Sequence, residues 1–251
     1  MTTVIYTDED FVASDSKWAC DNSLLVLDNH CVYKYVYFDQ NQRSILAFFA
    51  GDEYPIVSYQ AKFLGGIDEV EFIKQVTEQG ELNLSLEWLL IDATNGSFVG
   101  TNATIGWFQQ LRHLGSGGLH AAQFFYYSKK AKYNSIYKNN VVGAMNYAYY
   151  KDERYSGPPH TIRSWNKKHL IDNTVKNNHH LYTDSLISRL GELQMNYRNG
   201  HNITDLPSVA KLSSVNRNRS IVPPLKTTQS NTSPKVTVSG AISMLNLLKS
   251  L

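Results

Sequence analysis

The sequence lacks the features that mark several common protein classes. Its 251 residues include only two cysteines, Cys20 and Cys31, and these do not form a CxxC pair, so neither a disulfide framework nor a cysteine-rich zinc site is expected. No apolar run approaches the length of about 18 residues that a bilayer-spanning helix needs, and the N-terminus has no basic and apolar secretion signal. These absences predict a protein of the reducing cytoplasm with no membrane anchor.

The chain also lacks a strong charge of one sign. It has 24 Lys and Arg against 22 Asp and Glu, a formal net charge of +2, which would hold it neither to nucleic acid nor to an anionic membrane. The run Gly115-Ser116-Gly117-Gly118 is not followed by Lys and Ser or Thr, so it is not a nucleotide-binding loop. His179 and His180 have no nearby set of acidic or cysteine ligands. The sequence therefore predicts neither a nucleotide-binding loop nor a metal site.

Hydrophobic periodicity predicts strands, helices, strands, helices and strands in that order over the first part of the chain. The glycines at 115–118 predict a strand-to-helix turn, and Pro55 suits a first helical turn. The predicted strands are 2–7, 11–15, 31–38, 44–49, 84–92, 97–101, one ending near Leu114, and 160–165; the predicted helices are one near Pro55, then 67–76, 119–130, 135–151 and 183–197.

Composition changes after residue 171 and predicts three parts: a domain at 1–172, a helical extension at 173–205 and a polar, flexible tail at 206–251. The tail ends in a short apolar helix, which would either bind a neighbouring subunit or accessory factor or fold back on its own domain. The cations of the tail are spaced and almost free of aromatic neighbours, so nucleic-acid binding is not expected. The apolar residues are Ile242, Leu245, Leu248 and Leu251, and the cations are Lys211, Arg217, Arg219, Lys226 and Lys235.

The second residue is a candidate nucleophile. Once Met1 is removed, Thr2 carries both a hydroxyl and a free α-amine, whose pKa of about 8 suits a general base near neutral pH. Such a site needs a cation, an acid to orient the cation, and backbone N–H groups for an oxyanion. Lys34, Asp15 and the turn at 115–118 are candidates. For each one taken alone, a surface strand lysine, a turn or cap residue and a plain tight turn are the commoner explanations.

Several short motifs, taken in order, resemble those of N-terminal nucleophile hydrolases, specifically proteasome β subunits and the bacterial HslV-type peptidase. The resemblance covers residues 2 to about 170 and has no counterpart beyond about residue 172. The motifs are Thr2-Thr3-Val4-Ile5, Val12-Ala13-Ser14-Asp15-Ser16-Lys17, Val32-Tyr33-Lys34, Ala50-Gly51-Asp52, Leu114-Gly115-Ser116-Gly117-Gly118, and Tyr150-Lys151-Asp152 followed by Tyr155-Ser156-Gly157.

This resemblance implies an α+β fold, a four-layer αββα sandwich, and a threonine protease. Thr2 would be nucleophile and base, Lys34 would lower the pKa of the attacking group, and Asp15 would orient Lys34. Acyl transfer to Thr2 and hydrolysis would cleave a peptide or protein substrate with no metal or organic cofactor. The chain would form a homo-oligomer served by an ATPase or accessory factor. The remaining site residues would be Ser116, Asp152 and Ser156, which hold the amine or a bridging water, and Phe48, whose backbone N–H would bind the oxyanion.

The alternative is an interaction protein that keeps the fold and has lost turnover. Thr2, Asp15 and Lys34 favour the enzyme, since a chain released from catalysis has no physical need for these three groups together. Phe48 favours the alternative, because the family usually has glycine there.

Overall fold

The computed structural model describes residues 2–20, 23–26, 32–102, 105–130, 140–166, 172–198 and 234–251. Strands and helices alternate in groups along this part of the chain. The strands are β1 (Val4–Thr7), β2 (Phe11–Asp15), β3 (Ala19–Cys20), β4 (Ser23–Val26), β5 (Tyr35–Gln40), β6 (Arg43–Gly51), β7 (Leu86–Asp92), β8 (Phe98–Thr101), β9 (Gly106–Phe108), β10 (Leu111–Leu114) and β11 (His160–Ser164). The helices are α1 (Glu53–Phe63), α2 (Glu69–Glu81), α3 (Gly118–Lys130), α4 (Asn140–Lys151), α5 (His180–Arg198) and α6 (Val238–Ser250).

The first sheet places the start of the chain at its centre. Its strand order is β11-β2-β1-β10-β9, and every neighbouring pair is antiparallel. Val4 on β1 lies opposite Ser14 on β2 and opposite Leu114 on β10. Residues 2 and 3 therefore meet the end of β2 on one side and the turn after β10 on the other.

The second sheet is built from two consecutive hairpins in the order β5-β6-β7-β8. Its long strand β6 pairs with β5 on one side, where Val36 lies opposite Ala47, and with β7 on the other, where Leu90 lies opposite Ala47. Lys34 directly precedes β5, so it lies at the edge of this sheet where β5 begins. β3 and β4 form a separate two-stranded sheet.

The two sheets pack face to face, and helices cover both outer faces. Val4 and Tyr6 belong to the apolar cluster between the sheets, whereas Ile5 belongs to the cluster under α3 and α4. In β6 the even residues such as Leu46 face the first sheet, and the odd residues such as Phe49 face α1 and α2. Because both faces of these strands are buried, their sequences are almost continuously apolar. The order of layers confirms the predicted four-layer αββα sandwich.

Most predicted elements lie where periodicity placed them, with small shifts in their ends. α2 begins two residues after the predicted start because Asp68 caps it, accepting a hydrogen bond from Glu71 N at 2.8 Å. Pro55 lies in the first turn of α1 as expected. The helix predicted at 135–151 is described as α4, and residues 135–139 lie outside the described residues. The short strands β3, β4 and β9 were not predicted.

The C-terminal apolar helix folds back on its own chain, which decides between the two placements that the sequence left open. Leu245 and Leu248 of α6 share one apolar core with Phe72 and Val76 of α2. Helix α5 adds Leu186 to the same core. Residues 206–233 lie outside the described residues. They contain most of the predicted polar tail and all of its named cations except Lys235. No helix in the described ranges is both long and apolar enough to cross a bilayer.

Candidate active site

The first residues of the chain are enclosed by the turn that follows β10. Thr2 and Thr3 are fully buried. Gly115 has a φ of +71°, and a Cβ at this position would lie 1.8 Å from the Thr2 carbonyl oxygen. Glycine is therefore required at position 115 for two reasons: the backbone is left-handed, and there is no room for a side chain. The Gly115 N–H is held by Glu87, whose Oε2 accepts it at 2.7 Å.

Asp15 joins the end of β2 to the start of the chain. Its carboxylate accepts the Thr3 N–H at 2.9 Å on Oδ1 and the Gly157 N–H at 3.3 Å on Oδ2, and its own N–H donates to the Thr3 carbonyl at 3.0 Å. The predicted strand-end acid thus fixes the backbone directly after Thr2. Thr3 and Gly157 are contacts that sequence reasoning did not find.

Lys34 and Asp15 form a buried ion pair. Lys34 Nζ lies 3.4 Å from Asp15 Oδ1, and the side chains are 1% and 0% exposed. The ammonium also donates to the Lys17 carbonyl and lies 5.1 Å from the centre of the Trp18 ring. Burial lowers the pKa of Lys34, and the charge of Asp15 opposes this effect. Burial likewise raises the pKa of Asp15 against the opposing charge of Lys34.

A second polar network lies on the other side of the N-terminal residues. Asp152 Oδ2 accepts hydrogen bonds from Ser116 Oγ at 2.5 Å and from Ser156 Oγ at 2.7 Å. Ser156 Oγ is also 2.7 Å from Thr3 Oγ1. All three predicted residues therefore meet in one chain of hydrogen bonds. Thr3 links this chain to Asp15 and, through Asp15, to Lys34.

The Thr2 hydroxyl lies among these groups without a hydrogen bond of its own. Its Oγ1 is buried and has no partner among the described residues. An unpaired buried hydroxyl normally costs about 1–3 kcal/mol, so a group of this kind calls for an explanation. Met1, whose removal the chemistry requires, lies outside the described residues.

Phe48, the residue whose N–H the resemblance assigns to the oxyanion, lies within β6 opposite Leu89 of β7. Phe49 donates its N–H to the Lys34 carbonyl at 2.9 Å on the β5 side, and Asp52 donates to the Ser85 carbonyl at 2.9 Å on the β7 side. Because N–H groups alternate along an antiparallel strand, the Phe48 N–H is directed at β7, where Phe48 lies opposite Leu89. This N–H therefore lies in the interior of the sheet, and the Phe48 ring packs in the core between the sheets. The oxyanion role of Phe48 stays a prediction.

The residues missed by sequence reasoning act mostly through backbone atoms. The Lys17 carbonyl and the Gly157 N–H contact Lys34 and Asp15, and neither contact has a side-chain signal. Thr3 is adjacent to Thr2 in the sequence, but only the pairing of β1 with β2 shows that it contacts Asp15. Among the described residues, no group of three or more His, Cys, Asp or Glu side chains is arranged for a metal ion.

Comparisons with known proteins give structural neighbours only. No protein-family model and no curated sequence matches the chain. It is similar to eukaryotic HslV from Trypanosoma brucei at 14% identity, over 64% of this chain and 98% of that one, with a TM-score of 0.36. It is also similar to Thiobacillus denitrificans BPH, solved alone and in complex with epoxomicin, at 14% identity, over 66% of this chain and 100% of that one, with a TM-score of 0.42. The order of its layers and the antiparallel pairing of its two large sheets give the chain the four-layer αββα sandwich that the resemblance implied.

Proposed function

We propose that the protein is a threonine-dependent peptide hydrolase that acts through Thr2 after removal of Met1. One observation carries this proposal: the ion pair of Asp15 and Lys34 is buried against the first residues of the chain. A buried ion pair is a poor source of stability, since well-packed apolar residues of similar volume often do as well or better. Buried charges with displaced pKa values are, in contrast, common at catalytic sites.

The proposed reaction has two steps that use one residue as nucleophile and base. Thr2 Oγ forms a bond to the carbonyl carbon of the scissile peptide, and its proton passes to the α-amine of Thr2. The amine then protonates the leaving nitrogen as the C–N bond breaks, which leaves an ester on Thr2. Water adds to the ester and gives its proton to the α-amine. The C–Oγ bond breaks, a carboxylic acid leaves, and Thr2 regains its hydroxyl proton.

The buried groups supply the electrostatics for this exchange. The Lys34 ammonium favours the deprotonated form of a nearby hydroxyl, and Asp15 fixes both Lys34 and the Thr3 backbone. Ser116, Asp152 and Ser156 form a ready chain of hydrogen bonds, which would hold the α-amine or a bridging water. Since Oγ1 of Thr2 has no hydrogen-bond partner among the described residues, the hydroxyl would react without first breaking a hydrogen bond to any of them.

We further propose that the chain works as a homo-oligomer on peptide or protein substrates, with an ATPase or accessory factor controlling access. Thr2 is fully buried in the chain that carries Met1, so access to the site needs both processing and control. Native mass spectrometry of the full chain tests the assembly: an oligomer supports it, and a monomer at working concentration overturns it. The domain at 1–172 would carry the chemistry, and the parts at 173–205 and 206–251 would be additions to it.

A second candidate function is binding without turnover. The enclosure of Thr2 and the direction of the Phe48 N–H into the sheet favour this alternative, because an enzyme needs an accessible nucleophile and an oxyanion donor. The two functions differ in one measurable property, which is hydrolysis that depends on the Thr2 hydroxyl.

Hydrolysis of a panel of fluorogenic peptides by the wild type, Thr2→Ser and Thr2→Ala tests the proposal. Thr2→Ser retains a hydroxyl and an amine and should keep measurable activity, whereas Thr2→Ala should lose at least about 10³-fold. Thr7→Ala is the matched control, since Thr7 also lies near the start of the chain and its Oγ1 has no partner among the described residues. Equal activity of Thr2→Ala and the wild type would refute the proposal.

A further inference from the structure

The Val32 carbonyl and both backbone groups of Tyr33, just before β5, are held by side chains, whereas the Lys34 carbonyl is held by β6. Phe49 accounts for the Lys34 carbonyl, and Val32 and Tyr33 lie before the first ladder pair of the hairpin. The Val32 carbonyl accepts the Trp18 indole N–H at 3.0 Å. Because buried backbone groups need partners, the position of Lys34 depends on the side chains that pair with this short segment.

Tyr33 is held on both of its backbone groups by a closed set of three hydrogen bonds. The Tyr182 hydroxyl accepts the Tyr33 N–H at 3.1 Å and donates to Gln60 Oε1 at 2.7 Å. Gln60 Nε2 then donates to the Tyr33 carbonyl at 2.6 Å. Gln60 is fully buried and Tyr182 is 5% exposed. We call the three residues Tyr33, Gln60 and Tyr182 the Tyr33 clamp.

Each member of the Tyr33 clamp belongs to a different part of the fold. Gln60 lies on α1, and Tyr182 lies in the first turn of α5. The Tyr182 ring also packs on the Tyr33 ring, with 5.6 Å between centroids. The clamp therefore connects α5, in the part of the chain that follows the layered domain, with the residue directly before Lys34.

Asn177, in the segment before α5, makes similar hydrogen bonds to the backbone of β5, along the edge that does not pair with β6. Asn177 Nδ2 donates to the Tyr35 carbonyl at 2.9 Å, and Asn177 Oδ1 accepts the Tyr37 N–H at 2.9 Å. An amide side chain thus pairs with the edge as a strand residue would, and Asn177 is 1% exposed. The backbone N–H and C=O groups of residues 33, 35 and 37 are directed away from β6, because the alternate residues of this segment direct theirs toward β6.

We propose that Tyr182 and Gln60 are positioning residues for Lys34, so that the helical extension after the layered domain sets the geometry of the site. This inference rests on the proposed function of Thr2. The clamp fixes the backbone one residue away from Lys34, and a side chain held in a dry site follows its backbone. A misplacement of about 1 Å at a catalytic group can cost about 10²-fold in rate.

The test compares Tyr182→Phe and Gln60→Met with the control Tyr197→Phe in the full chain. Tyr197 lies on the same helix, and its ring stacks on Tyr54 at 5.5 Å, far along the helix from the clamp. The first measurement is the rate of covalent modification by a peptide epoxyketone, followed by intact mass. The second is the titration of Lys34, followed by the NMR signal of its labelled Cε and assigned with Lys34→Arg.

Both clamp variants should react about tenfold more slowly or worse, and the titration midpoint of Lys34 should rise toward that of an ordinary lysine as water reaches the ammonium. The charged groups that act on Lys34 are Asp15, Asp152 and Lys17, and all are unchanged in the variants. Tyr197→Phe should alter neither quantity.

Wild-type rate and midpoint in both clamp variants would overturn the inference. If the wild-type chain does not react at all, the proposed function fails and the midpoint alone decides: a shift in the clamp variants supports positioning of Lys34, and no shift refutes it. Gln60→Met guards against misfolding of Tyr182→Phe, because it breaks the clamp from α1 instead of α5.

Discussion

Lys34 Nζ and Asp15 Oδ1 lie 3.4 Å apart, with both side chains shielded from solvent, at the point where the two sheets meet the start of the chain. The ion pair connects the last residue of β2, Asp15, with the residue before β5, Lys34. Removing one member leaves the other charged and unpaired in a site with little water, whereas removing both leaves no charge to solvate.

The effects of single and double substitutions of this pair on the free energy of unfolding should therefore not be additive. Lys34→Met and Asp15→Asn should each lower the free energy of unfolding by about 3–5 kcal/mol. The double variant should be more stable than the sum of the two losses predicts, since it contains no isolated charge. Urea denaturation of the four proteins measures the coupling, and strict additivity would show that the ion pair does not exist in solution.

The half-buried histidine of β10, His113, should make the fold sensitive to mild acid. Burial lowers the pKa of His113 to about 4, so the unfolded chain binds this proton more tightly than the folded chain. The stability that His113 contributes is complete above pH of about 6.5 and declines as the pH falls toward 4, by about 2–3 kcal/mol in total.

His113→Gln is the control for this effect, because it removes the titrating group from the same position. The difference in unfolding free energy between the wild type and His113→Gln, measured at several pH values, should change over this window and be level above it. A difference that stays constant from pH 4 to 7 would contradict the low pKa.

Two glycines with the same backbone conformation should respond differently to alanine. Gly115 and Gly65 have φ values of +71° and +73°, but a Cβ at Gly65 meets nothing within 4 Å, whereas at Gly115 it meets the Thr2 carbonyl. Gly65→Ala should cost only the backbone strain, about 1–2 kcal/mol. Gly115→Ala should cost more and abolish covalent modification of Thr2. Similar losses in thermal stability and full reactivity in both variants would contradict the packing around Thr2.

The C-terminal helix offers a matched pair for its packing on α2. Leu248 is 5% exposed and belongs to the core, whereas Ile242 is 45% exposed on the same helix. Leu248→Ala should destabilise the chain by about 2–4 kcal/mol, and Ile242→Ala by about 0.5 kcal/mol or less. Equal effects in denaturant unfolding would show that α6 does not pack back in solution.

The strands and helices could be predicted because their signal is local, whereas their arrangement in four layers was implied by the resemblance. The strands carry runs of β-branched and aromatic residues between turn residues, as in Phe11 to Asp15 and Arg43 to Gly51. Each run predicts its strand without information from the rest of the chain. β9 was missed because its three residues, Gly106 to Phe108, are too few to show a period.

The candidate site could be predicted only in part, because its contacts join distant residues. The types and order of Thr2, Asp15 and Lys34 pointed to one chemistry, but the pairing of Thr3 with Ser156 spans 153 positions and depends on sheet register. The same holds for Phe48: a motif gives a position in the sequence, whereas the direction of an N–H depends on which strands lie on either side.

The most direct test of the account is the intact mass of the purified chain after treatment with a threonine-directed peptide epoxyketone. One spectrum reports both the loss of Met1 and the reactivity of Thr2. The account predicts a chain without Met1 that carries a single inhibitor, with no inhibitor bound to Thr2→Ala. Complete retention of Met1, or a processed chain that takes up no inhibitor, would contradict it.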